Sequence, residues 1–195
     1  MNVLIACEES GVVRDAFIAK GHNAISCDVL PSLSPGPHLQ CDIREVNLEA
    51  FDLMIAFPPC THLASSGARW FSSKVKEQAE AVDFVLWLAN APIEKIAIEN
   101  PVGVLSTKMR KPDQIIQPYQ FGHRARKTTC LWLKNLPLLV PTSVVEQGEQ
   151  VTFPSGKRMP KWYSDAWHLP AEERARVRSR TFEGIAKAMA EQWGG

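Results

Sequence analysis

Residues 52–57 read DLMIAF and run straight into Pro58, Pro59 and Cys60; residues 95–99 read KIAIE and run into Asn100 and Pro101. Each is a short apolar run of buried-strand length, and each stops near a proline, which has no backbone N–H to continue a ladder. Between them Val75, Ala79, Val82, Val85, Leu86 and Leu88 recur at helical spacing as an inward face, with Ser72 or Ser73 as the expected N-cap of a helix reaching Ala91. Strand, helix and strand in that order predict a right-handed crossover and parallel pairing.

The same pattern extends outward. Residues 2–7 (NVLIAC) form a first strand, and residues 12–20 a helix with Val13 and Phe17 inward, ended at Gly21. Residues 23–27 form a second strand ending at Asp28, residues 31–38 a proline-rich loop, and residues 39–41 a third short strand ending at Asp42. Residues 127–133 (KTTCLWL) read as a later strand, and residues 171–177 and 181–193 as helices. Residues 135–170 are rich in proline and lack periodicity, the mark of a long loop or a small insertion. The expectation is one α/β domain over residues 1–195, built on a mainly parallel sheet.

Composition narrows the function classes. Of the 195 residues, 45% are apolar and 22% charged, as in ordinary globular chains. No apolar stretch approaches a membrane span, and Met1 leads directly into a strand without a basic leader, so a cytoplasmic protein with no membrane partner is expected. The five cysteines are odd in number and form no CxxC pair, which predicts reduced thiols and no structural metal. The near-neutral net charge of +1 hides an asymmetry. Residues 1–100 hold 7 Lys/Arg against 13 Asp/Glu; residues 101–195 hold 15 against 8. The basic half, with Phe153, Trp162, Tyr163 and Trp167 among its cations, suits a polyanion with stackable bases; solvated loops and an exposed helix face are the alternative. Nothing in the chain signals an oligomeric state.

In an open sheet of this kind, ligands sit beyond the carboxyl ends of the strands. Those ends carry Cys7-Glu8-Glu9-Ser10-Gly11, Asp28, Asp42, Pro58-Pro59-Cys60 and Glu99-Asn100-Pro101. Neither the dinucleotide fingerprint G-x-G-x-x-G nor the phosphate loop G-x-x-x-x-G-K-[ST] occurs. Gly11 lets a backbone approach a ligand, Glu8 and Glu9 suit an ammonium group, and Asp28 stands where an acid meets a ribose diol. Cys60, aimed by two prolines, suits a nucleophile, whereas Cys27 and Cys130 read as small buried hydrophobes. Glu99 suits a hydrogen bond to a heterocyclic base.

Together these pieces resemble the cytosine carbon-5 DNA methyltransferases, most closely their compact phage and prophage forms. FPPCTHLA at 57–64 looks like the Pro-Cys loop, IENP at 98–101 like the Glu-Asn-Val motif, and FGHRARKTT at 121–129 like the later segment carrying two arginines. CDI at 41–43 matches the segment whose acid reaches the cofactor adenine, and GIAKAMAEQW at 184–193 the terminal helix that closes the cofactor pocket. The first loop reads ACEESG rather than the Gly-rich pattern, and no separate target-recognition domain is visible.

The resemblance implies a Rossmann-like S-adenosylmethionine-dependent methyltransferase fold with helices on both sheet faces. It implies S-adenosylmethionine held by Glu8, Glu9, Ser10 and Gly11 at its methionine part, Asp28 at the ribose and Asp42 at the adenine, with Phe57, Pro58 and Gly184 also in the cofactor pocket. It implies DNA as partner, Cys60 attacking a flipped cytosine, Glu99 at ring nitrogen 3, Arg124 and Arg126 orienting the base or its phosphates, and residues 135–170 touching nucleic acid. A methyltransferase acting on RNA or a free pyrimidine nucleotide, and a non-catalytic DNA- or cofactor-binding module, are the alternatives.

Overall fold

The computed structural model describes residues 1–195, the side chain of Trp70 excepted. A seven-stranded sheet runs through the chain. Its strands are β1 (Asn2–Ala6), β2 (Asn23–Asp28), β3 (His38–Gln40), β4 (Leu53–Ala56), β5 (Lys95–Pro101), β6 (Gln114–Ile116) and β7 (Thr129–Lys134). The order across the sheet is β3-β2-β1-β4-β5-β7-β6. The first five strands pair in parallel; β7 runs antiparallel to both β5 and β6. The chain order reverses between β1 and β4, the point at whose carboxyl ends sheets of this kind bind ligands.

The central strands are apolar throughout because both sheet faces are covered. Val3, Ile5, Leu53 and Ile55 face one core, shared with α1 (Val12–Ala19) and α6 (Glu183–Trp193) through Val13, Phe17, Met189 and Trp193. Leu4, Ala6, Met54 and Ala56 face the other, shared with α2 (Val75–Ala89) through Val82, Val85 and Leu88. The parallel sheet with helices on both faces is therefore as the sequence predicts.

Two local readings need correction. The helix after β4 is preceded by a 3-10 segment, Ser65–Ser73, so Lys74 rather than Ser72 or Ser73 occupies the N-cap position. Val75 and Ala79 are exposed, because the first turns of α2 extend past the sheet and only its later turns pack on it. Within residues 135–170, β8 (Gln150–Thr152) pairs antiparallel with β9 (Arg158–Pro160) as a hairpin. One-turn α3 (Leu105–Lys108), short α4 (Lys161–Asp165) and charged α5 (Ala171–Ser179) complete the elements. No helix is long and apolar enough to cross a membrane, among the described residues.

Candidate active site at the carboxyl edge of the sheet

Cys60 sits on the loop leaving β4, and Glu99 lies near the end of neighbouring β5. The loop is stiff for two reasons. Pro58 and Pro59 restrict its backbone, and the Cys60 carbonyl closes a turn by accepting from the Leu63 and Ala64 N–H groups at 3.0 and 2.9 Å. From β5, the buried Asn100 reaches across and donates its Nδ2–H to the Pro58 carbonyl at 2.9 Å. Cys60 itself is exposed.

Glu99 opens onto a narrow hollow walled by Phe57, Thr129, Thr181, Phe182 and Met189, with Lys127 on its rim. Measured to the centre of a water-sized sphere, the hollow offers about 10 Å³, room for one water and not for a ring. Cys60 lies outside it. Burial pushes the Glu99 carboxyl above the ordinary glutamate value, against the opposing pull of Lys127 and a hydrogen bond with Thr129. Although the Cys60 residue is exposed, loss of part of the solvation of its sulfur pushes the thiol up; the Glu99 charge adds to the rise and Lys127 opposes it. Both groups therefore hold their protons more tightly than they would in water, and Lys127 opposes the rise in each.

The acids of the first three strand ends have distinct settings. Glu8 is buried and turned towards α1, accepting from the Val13 N–H at 2.8 Å and the Arg14 N–H at 3.4 Å. It caps that helix, with Ser10 donating its hydroxyl to the same carboxylate at 3.0 Å. Glu9 faces the other way. Its Oε1 is 3.7 Å from Arg176 Nε on α5, and its Oε2 is buried without a partner. Asp28 accepts from the Leu30 N–H at 3.0 Å; Asp42 accepts from the Arg44 N–H at 2.9 Å and pairs with the Arg44 guanidinium at 3.1 Å. Gly11 has a left-handed φ of 75°, and Arg14 and Ser34 fill the space that a side chain there would need.

Three thiols gather at these strand ends. Cys27 and Cys41 place their sulfurs 3.9 Å apart, and burial pushes the Cys27 thiol up to about 12. Cys7, with a φ of 58°, is likewise pushed up to about 12, first by burial and then by Asp28 and Asp42. No group of three or more His, Cys, Asp or Glu suited to a metal ion occurs among the described residues.

The arginines of the RAR segment stand elsewhere. Arg124 is exposed and lies 3.7 Å from Glu146; Arg126 is exposed and its carbonyl accepts from the Trp162 indole N–H at 3.3 Å. Neither lines the hollow at Glu99; the cation that does is their neighbour Lys127. The sequence offered no signal for it, because only the antiparallel entry of β7, with Thr129 opposite Pro101, turns this segment towards Glu99. Gly184 lies in the first turn of α6, where its N–H donates to His123 Nε2 at 2.8 Å and the Phe121 carbonyl leaves no space for a side chain.

No protein-family model matches the chain, and no curated relative does. Solved structures do. One, from E. coli, is described as a DNA modification methyltransferase encoded within a prophage; the match has 14% identity, a TM-score of 0.51 and covers 88% of this chain. Another is the Entamoeba histolytica methyltransferase EhMeth, at 13% identity and a TM-score of 0.52, covering 74% of this chain. This chain spans 56% and 57% of the lengths of those two. At such identities the likeness speaks for architecture, and the architecture is the Rossmann-like fold of methyltransferases.

Proposed function

We propose that the protein is a DNA methyltransferase that uses S-adenosylmethionine and modifies carbon 5 of cytosine through a covalent Cys60 adduct. The observation that carries this reading is the placement of a thiol and a carboxyl at adjacent strand ends, on the loop leaving β4 and on β5, with Asn100 beside Glu99 tied to the Pro58 carbonyl at 2.9 Å. A protonated carboxyl suits ring nitrogen 3 of cytosine, to which it donates. The Cys60 thiolate adds to ring carbon 6, and the electron pair moves through the ring towards nitrogen 3, where Glu99 supplies the proton. Carbon 5 is then the nucleophile. As carbon 5 takes the methyl group, the electron pair returns through the ring and nitrogen 3 gives its proton back to Glu99; loss of the carbon 5 proton to water then restores the ring double bond and expels the Cys60 thiolate.

S-adenosylmethionine, when bound, supplies the methyl group. The residues at the carboxyl ends of β1 to β4 suit it in part. The unpartnered Oε2 of Glu9 suits an ammonium, Asp28 the ribose and Asp42 the adenine, with Ser10, Gly11, Phe57, Pro58 and Gly184 around them. Glu8 supports the loop from behind by capping α1 rather than by touching the ligand.

DNA is the proposed partner. The β8–β9 hairpin presents Lys157 and Arg158, and a two-stranded ribbon has the width of the major groove. Behind it Trp167 is exposed beside Arg174 and Arg178, whose guanidinium groups lie 5.5 and 4.7 Å from its ring centre. The hollow is too narrow for a ring, so a flipped cytosine enters only if its walls, Thr181 and Phe182 among them, move apart.

The test is methyl transfer from labelled S-adenosylmethionine to duplex DNA, followed by digestion to nucleosides. The label is expected in 5-methylcytosine, and Cys60→Ser is expected to abolish it. Label on an exocyclic amine, label only in RNA, or normal turnover by Cys60→Ser would overturn the reading.

A further inference from the structure

Lys127 does two things with one ammonium. Its Nζ donates to the Ser179 carbonyl at 3.0 Å and the Arg180 carbonyl at 3.3 Å. Those carbonyls end α5 and begin the strap that lowers Thr181 and Phe182 onto the hollow at Glu99. Lys127 also lines that hollow, and its charge opposes the rise of both Glu99 and Cys60.

The rest of the site shows why both effects fall to this residue. No residue of α5 is buried, so the core does not hold the strap at that end. At the other end Phe182 packs its ring against His123 and Trp162, at centroid distances of 5.2 and 5.6 Å. Lys127 is itself held: its backbone N–H donates to Gln117 Oε1 at 3.1 Å, and its carbonyl accepts from the Thr129 hydroxyl at 3.1 Å. Thr129 also stands within hydrogen-bonding reach of Glu99, its one hydroxyl proton serving either acceptor. An ammonium has three protons, two of which go to the strap carbonyls, leaving one for an acceptor in the hollow.

We propose that Lys127 is a positioning residue for the Cys60–Glu99 pair: a single ammonium ties the strap at residues 179–182 over Glu99 and supplies the positive charge that the pair faces. The inference rests on the reading of Cys60 and Glu99 as the reacting pair. It separates Lys127 from Arg124 and Arg126, which stand away from the hollow. It also links closure to charge, since a strap that lets go of the ammonium frees it to follow whatever enters.

The experiment uses the full chain without substrate or cofactor. Alkylation of Cys60 by iodoacetamide is followed against pH by peptide mass spectrometry, because the rate tracks the thiolate fraction. Amide exchange at residues 179–182 is read alongside. Lys127→Met is expected to move the Cys60 midpoint up and slow alkylation about threefold or more at a fixed pH below it, the effect of losing one nearby charge. It is expected to speed exchange in the strap. Lys127→Arg should restore both readouts towards wild type. Should the Met variant fail to fold, Lys127→Gln, which removes the charge and keeps N–H donors, gives the same midpoint shift. Glu99→Gln should move the midpoint down.

A midpoint and strap exchange unchanged in Lys127→Met, or a shift that Lys127→Arg fails to reverse, would overturn the proposal. Failure of methyl transfer would leave these shifts standing and count against the reaction alone. Failure of the shifts would leave methyl transfer standing and count against Lys127 alone.

Discussion

Asn100 Nδ2 donates to the Pro58 carbonyl at 2.9 Å, so the strand that carries Glu99 also fixes the loop that carries Cys60. Two residues brought together by parallel pairing of β4 and β5 thus gain a second, lateral tie. Asn100→Ala leaves a buried carbonyl without its donor. It should destabilise the fold by about 1–3 kcal/mol and loosen residues 58–64. Urea unfolding gives the first number and amide exchange the second. Unchanged exchange in the loop would remove this role for Asn100.

Glu99 also makes a pH prediction. Its carboxyl is raised in the folded protein, first by burial, so the native state holds a proton that the unfolded chain has released. Stability from this group is fully present below the ordinary glutamate value and is lost as pH rises through the folded one. Relative to wild type, Glu99→Gln should therefore gain in Tm as pH is raised from 4 to 7. A gap that narrows over that range would contradict the assignment.

Arg14 is fully buried on α1, with Ser26, Ser32 and Ser34 and the carbonyls of Ser34, Pro35 and Pro37 around its guanidinium. It pins the loop that follows Asp28. Arg14→Met leaves the Pro35 carbonyl without its donor, while the Ser34 and Pro37 carbonyls keep Ser32 and Ser26, and should destabilise by about 1–3 kcal/mol, with amide exchange rising first at residues 29–37. Arg14→Lys cannot make the same fork of contacts and should recover only part of the loss. Equal stability in wild type and Arg14→Met would show the loop to be held by other means.

The hairpin makes a separate claim. Replacing Lys157 and Arg158 together by Ala should weaken duplex binding across sequences and lower the salt slope of binding by about 2. Cys60 alkylation should stay as in wild type, since the hairpin does not line the hollow. An unaltered slope would place the DNA elsewhere.

How far the sequence could be read follows from what each element depends on. β1 and β4 were legible because every core-facing and back-facing position is apolar, and β4 stops near prolines. β6 is three residues long, with Ile115 exposed, and carries no pattern to find. The hairpin strands are equally short and lie outside both cores. The RAR segment drew the reading to Arg124 and Arg126, yet the reversed strand β7 carries Lys127 to Glu99 instead. Glu8 looked like a ligand-facing acid, but the turn at Gly11 brings the α1 N–H groups onto it. Local pattern shows strands and their order; strand reversal and loop closure decide which side chains meet.

The most direct test of the central claim is incubation of the full chain with S-adenosylmethionine and duplex DNA containing 5-fluorocytosine, whose fluorine cannot leave as a proton does. A stable adduct mapping to Cys60, present in wild type and absent in Cys60→Ser, is the predicted result. No adduct, or one that survives the loss of Cys60, would contradict it.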